Sequence, residues 1–173
     1  MSRAFVRESD DRPELPIARQ PSALPAGAKN YLTPDGAERL RRELRRAIEE
    51  ERPALASASE DPEMKRRLLV LEQRIQQLEQ SLQSAEIVAA SVGPADVVRF
   101  GATVTVKRAD GVEDNYRIVG VDEIDLDRGW VSWAAPIAKA LLNAKLGERV
   151  RFRFPSGEEQ LKIVRISYDV EEP

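Results

Sequence analysis

Residues 62–85 read PEMKRRLLVLEQRIQQLEQSLQSA. Met64, Leu68, Leu71, Ile75, Leu78, Leu82 and Ala85 step by four and three in strict alternation, the a/d spacing of a coiled-coil seam held for three heptads. Asp61-Pro62 starts this helix, an acceptor side chain followed by a residue whose missing N–H costs nothing at the first helical position. A second start of the same kind lies upstream. Leu32-Thr33-Pro34 sets a capping hydroxyl before a proline, with Leu32 placed to staple against Ala37. Ala37, Leu40, Leu44 and Ala47/Ile48 then form an apolar stripe that fades near Pro53, and Ser57 to Pro62 reads as a turn. Two amphipathic helices about a short turn predict an antiparallel hairpin over residues 30–92. The seam would equally serve a dimer, so a coiled-coil scaffold stays open beside the monomer that this reading favours.

Outward from the hairpin the chain changes character twice. Residues 1–29 hold Pro13, Pro16, Pro21 and Pro25 in a polar stretch without period, which reads as a disordered tail; Phe5 and Val6 are its one candidate anchor. Beyond Gly93-Pro94 the period becomes two: Val98, Phe100, Ala102, Val104 and Val106 alternate. Ala109-Asp110-Gly111 reads as a hairpin turn, Tyr116 and Ile118 as a second strand ending at Gly120, and Trp130 to Trp133 as a third. Pro136 opens a short helix through Leu142, and Arg149–Phe154 with Gln160–Tyr168 close a last hairpin. Residues 93–173 are therefore predicted to be an antiparallel β domain with one helix, and the whole chain α+β.

Composition bounds the chemistry. There is no Cys and no His, which excludes thiolate nucleophiles, Ser-His-Asp triads and most zinc enzymes. A metal would have to be held by carboxylates, which suits Mg²⁺. The net charge of -3, from 27 basic and 30 acidic residues, gives no bulk attraction to nucleic acid, so any basic function must be local. Mean hydropathy is -0.45 and no apolar run is long enough to span a bilayer. With no apolar leader core in Met1–Glu8, a cytoplasmic protein without membrane contact is expected.

The segments YLTPDGAERLRREL (31–44), EERPAL (50–55), Phe100–Val104, Tyr116–Glu123 and Pro136–Leu142 recur in this order in the GreA/GreB family of bacterial transcription elongation factors, which residues 31–170 resemble. The resemblance implies an FKBP-like C-terminal domain that docks on the β′ subunit of RNA polymerase, and a hairpin that enters the secondary channel. Such a factor has no reaction of its own and at most assists RNA cleavage by the polymerase. Two departures stand out. The hairpin is shorter than the family's by about one heptad per arm, about 10 Å of reach, and lacks the Gly-Asp-x-x-Glu-Asn tip. In this it resembles Rnk, a relative that binds polymerase without cleavage activity. The docking loop reads Ala134-Ala135-Pro136, where the family commonly has Asp-Ser or Asn-Ser before the proline. An FKBP-like fold also raises prolyl isomerisation as an alternative, although no aromatic-rich pocket is evident in the sequence.

Three sites follow. Glu60, Asp61 and Glu63 at the hairpin tip are positioned to share a Mg²⁺ with the polymerase in two-metal hydrolysis; their plain alternative is helix-start residues that offset the dipole. Arg39, Arg42, Arg45 and Arg46 on the first helix, with Arg41 beside them, and Lys65, Arg66 and Arg67 on the second form a basic stretch for polymerase or nascent RNA. Their alternative is a solvated face, with Arg45/Glu49 and Arg46/Glu50 as i,i+4 pairs. Asp122, Glu123, Trp133, Ala134, Ala135 and Pro136 are the partner-binding set. The three-residue spacing of Trp130 and Trp133 predicts one indole in the core and one toward the surface.

Overall fold

The computed structural model describes residues 24–58, 60–89 and 95–168. Phe5, Val6, Pro13, Pro16, Pro21 and the Gly93-Pro94 boundary, all singled out in the sequence, lie outside the described residues.

A short strand, β1 (Asn30–Leu32), runs into helix α1 (Pro34–Arg46). Thr33 caps it, its Oγ1 accepting from Gly36 N at 3.0 Å. The chain then widens into a π-helical turn, Ala47–Glu51, before α2 (Arg52–Ser57). Pro53 explains the widening: it has no N–H to give, and its ring would collide with a carbonyl one turn back in a regular helix. The wider turn also moves the ion pair. Arg46 meets Glu51 at 2.9 Å and not the expected Glu50, because in a π turn the fifth residue on stands above the first.

Helix α3 (Pro62–Ser84) returns along the first arm, and Asp61 Oδ1 caps it by accepting from Glu63 N at 2.8 Å. Its 23 residues are about 35 Å long at 1.5 Å each. Two apolar clusters join the arms. Near the base, Leu78 packs with Leu32, Ala37 and Leu40; further out, Leu71 and Ile75 pack with Ala47, and Leu55 covers them. Late α3 against early α1 makes the arms antiparallel. Burying Leu71, Ile75 and Leu78 stabilises the pair by about 1.5–3 kcal/mol per side chain. Strand β2 (Ala85–Ile87) then pairs in parallel with β1.

The second part is a five-stranded sheet in the order β5-β4-β3-β7-β6. It comprises β3 (Thr103–Lys107), β4 (Glu113–Val119), β5 (Trp130–Ser132), β6 (Arg149–Phe154) and β7 (Gly157–Ser167). Alternating residues of these strands pack against Ile137, Ala138 and Leu141 of the single helix α4 (Pro136–Leu141). One expectation is corrected: the sheet is mixed, since β5 runs parallel to β4 with Arg117 opposite Trp130. Residues 120–129 are too long for a tight hairpin and carry the chain back to the starting end of β4, as a parallel pairing demands.

Candidate functional site

One buried carboxylate stands at the centre of the contact between the two parts. Glu123 sits at the end of a 3-10 turn, Val121–Glu123, and is only 4% exposed. Its Oε2 accepts from Thr33 N at 2.9 Å and from Gly120 N at 2.9 Å, while its Oε1 takes the Thr33 hydroxyl proton. In a capping box, a Glu or Gln at the third helical position reaches back to the N-cap N–H. Helix α1 has Gly36 at that position, and Glu123 supplies the missing carboxylate from the other part of the molecule. Gly36 makes room for it: a Cβ there would lie 1.8 Å from Glu123 Oε1. Gly120 serves the same approach from the sheet side, since a Cβ there would fall 2.0 Å from the Tyr31 carbonyl.

A second layer surrounds this contact. Trp130, 5% exposed, is ringed by the guanidiniums of Arg39, Arg117 and Arg128 at 4.6, 4.8 and 5.4 Å from its ring. Arg39 comes from α1 and also lies 3.6 Å from Glu123, and Arg117 on β4 reaches Asp35 of α1 at 3.5 Å. On the other side Asp122 accepts from Ser81 Oγ at 2.7 Å and from Asn30 Nδ2 at 3.2 Å. Tyr31 completes the junction edge-on to Trp133, with ring centroids 5.4 Å apart, and tilted against Phe100.

Comparison with known proteins identifies this assembly. Residues 93–168 match the family described as transcription elongation factor, GreA/GreB, C-term. The chain is 36% identical over 154 residues to transcription elongation factor GreB of Neisseria meningitidis, covering 81% of this chain and 94% of that protein. It is 39% identical over 156 residues to transcription elongation factor GreA of Alkalilimnicola ehrlichii, covering 82% and 99%. The chain belongs to the GreA/GreB family. Among solved structures, a GreA/GreB factor from Nitrosomonas europaea overlaps 82% of this chain and 99% of its own at 23% identity, with a TM-score of 0.41.

In this GreA/GreB protein the sequence-derived site residues separate into three kinds. Glu123 and Arg39 belong to the junction: the first, expected on a docking loop, is buried and fully engaged, and the second turns from the basic face toward Trp130. Ala135 is also inward, packed in the sheet core, and Ala134 is half-buried, its N–H donating to Ser132 Oγ at 3.1 Å. Trp133 is half-buried rather than turned to the surface, because Tyr31 covers it. Pro136 is exposed at the first position of α4, and Asp122 is exposed at the junction's edge.

The tip residues Glu60, Asp61 and Glu63 are exposed, but they do not converge. Asp61 is spent on its cap and Glu63 pairs with Arg67 at 3.2 Å. Among the described residues no group of three acidic side chains is placed to hold a metal ion. Arg42, Arg45, Lys65 and Arg66 point to solvent, Arg41 pairs with Glu38 at 2.6 Å, and Arg46 with Glu51. Sequence reading missed Tyr31, Asp35, Gly36, Arg117 and Gly120 as junction residues. The legible signal was a capping Thr33 with glycine where the box needs an acid.

Proposed function

We propose that this GreA/GreB protein docks on RNA polymerase through the surface around Pro136, directs its helical arms into the secondary channel, and regulates elongation there with little or no stimulation of transcript cleavage. The observation that carries the last clause is the state of the tip. The Asp61 side chain caps α3 and Glu63 pairs with Arg67, leaving Glu60 as the one tip acid with no contact among the described residues. A shared Mg²⁺ would have to compete with these contacts.

Arm length supports the same reading. The alignment to the Neisseria protein runs over 154 positions yet takes in 81% of these 173 residues, about 140, so about 14 positions have no counterpart here. Two heptads, one per arm, would account for a difference of that size and for about 10 Å of reach. The seam residues Leu71, Ile75 and Leu78 are covered by the chain's own first arm, which supports a monomer over a coiled-coil dimer. No helix among the described residues is long and apolar enough to cross a membrane.

The test is a transcript-cleavage assay on a backtracked elongation complex with this protein added. Binding to core polymerase with cleavage near the unassisted rate is expected. Robust Mg²⁺-dependent cleavage that disappears in the Glu60→Ala/Asp61→Ala/Glu63→Ala variant, with binding retained, would replace this reading by that of a cleavage stimulator.

A further inference from the structure

The outer face of the sheet carries a cluster that neither the docking surface nor the junction uses. Lys107 on β3 stands directly opposite Lys162 on β7, and Lys162 stands directly opposite Arg149 on β6. All three are exposed, while their strand neighbours Val106, Leu161 and Val150 are buried, so the row lies on the face away from the core. At about 4.8 Å between strands it is about 10 Å long. Together with Arg108, Ala109 and Gln160 these side chains line a concavity of about 360 Å³.

This arrangement is not one that folding asks for. Like charges directly opposite each other in a sheet are destabilising, and here two such pairs share one lysine. Neutralisation is partial: Arg108 meets Asp114 at 2.6 Å and Lys107 meets Glu113 only at 3.9 Å, while Arg149 and Lys162 make no ion pair among the described residues. Arg165, exposed opposite Thr105, extends the positive face along β7. The chain's net charge of -3 makes the concentration of cations a local feature.

We infer that this row binds the phosphodiester backbone of duplex nucleic acid. Protein partners are anchored by a desolvated apolar centre, and the row has none. Single strands are held by stacking bases on aromatic rings, and no aromatic side chain lies on this face of β3, β6 or β7. On the same face Glu158 is held by Arg151 and Arg153 at 3.1 and 2.8 Å, and Glu113 stands beside Lys107 at 3.9 Å. What the row itself offers is Lys107, Lys162 and Arg149 with the polar Thr105 and Gln160, a donor set that meets phosphates and reads no sequence. The row also lies toward the β6 side of the sheet, away from β5 and the chain leading to Pro136, so the polymerase surface and the duplex can be held together. The inference does not rest on the polymerase reading.

The experiment is fluorescence anisotropy of the full chain with a labelled mixed-sequence duplex of about 20 base pairs, titrated at several salt concentrations. The parent is expected to bind with affinity that falls steeply with salt. The Lys107→Gln/Arg149→Gln/Lys162→Gln variant should bind at least about tenfold more weakly at low salt, with a log–log slope shallower by about 2.7, or 0.9 per lost phosphate contact. Lys139→Gln, an exposed cation on α4, which packs on the opposite, core face of the sheet, should leave the slope unchanged. The triple variant's melting temperature should equal or exceed the parent's, since the like-charge row is relieved. Absence of duplex binding by the parent, or an unchanged slope in the triple variant, would overturn the inference. So would loss of core polymerase affinity by that variant with duplex binding intact, which would make the row a protein contact.

Discussion

Removing the Glu123 carboxylate should loosen the junction without dissolving either core. In Glu123→Ala the buried N–H groups of Thr33 and Gly120, each 2.9 Å from Oε2, lose their acceptor. At about 1–3 kcal/mol for each buried donor left unpaired, the cost is about 2–6 kcal/mol. The upper end is reached only if the two parts unfold together; a junction that opens and admits water recovers part of it. Gly36→Ala should act through the same carboxylate, because the new methyl would stand 1.8 Å from Oε1 and expel it. The two changes are therefore not independent. Once Glu123 is gone the methyl has room, and alanine is the better helix former by up to about 1 kcal/mol. Gly36→Ala should then be neutral or mildly stabilising in the Glu123→Ala background. Urea unfolding of the four proteins closes the double-mutant cycle, and amide exchange at Thr33 and Gly120 reports whether the junction opens. Additive losses, or exchange that rises equally in the sheet, would refute the trans-capping account.

Three further outcomes follow from the structure. Leu71→Ala or Ile75→Ala should cost about 2–5 kcal/mol by urea unfolding, whereas Leu69→Ala, at a position 67% exposed, should change stability by less than about 0.5 kcal/mol. Pro136→Arg should lower retention of core polymerase in a pull-down at least tenfold by the scale of a lost interface anchor, about 1.4 kcal/mol or more, with an unchanged circular dichroism spectrum; Trp133→Asp is a poorer test because Trp133 packs on Tyr31. Tyr116 is buried in the sheet core, and burial, with the Asp114 carboxylate nearby, pushes its hydroxyl up to about 12. The unfolded hydroxyl titrates near 10, so stability is complete below about pH 10 and declines by at most about 2.7 kcal/mol as the pH rises to about 12. Tyr116→Phe should flatten that alkaline decline in urea unfolding.

What could be read from the sequence was whatever the chain decides locally. The seam positions Leu71, Ile75 and Leu78 are buried as their spacing predicts, because neighbours three and four apart share a helix face wherever the helix goes. Thr33 and Asp61 cap their helices for the same reason. Contacts decided at a distance were not legible. Glu123 and Thr33 are ninety positions apart, so an acid in a loop reads as a surface residue until the second partner is known. Arg39 looks like its neighbours Arg41 and Arg42, and only the position of Trp130 makes it different. The exchange of Glu50 for Glu51 under Arg46 depended on a single widened turn. The parallel β4–β5 pairing depended on where a ten-residue connection chose to cross.

Two of the segments that carried the family resemblance, residues 31–44 and 116–123, prove to be the two halves of one contact. That placement has a mechanical reason. The arms have their own apolar clusters and the sheet has another, so neither core fixes the angle between them. Apolar contact is non-directional and would let the arms slide, whereas hydrogen bonds hold only near a set geometry. At the end of an arm about 35 Å long, a tilt of about 5° at the base moves the tip by about 3 Å, comparable to a hydrogen bond's length. The proposed insertion of the tip into the polymerase channel would need directional bonds at the pivot, and glycines at positions 36 and 120 let those bonds close.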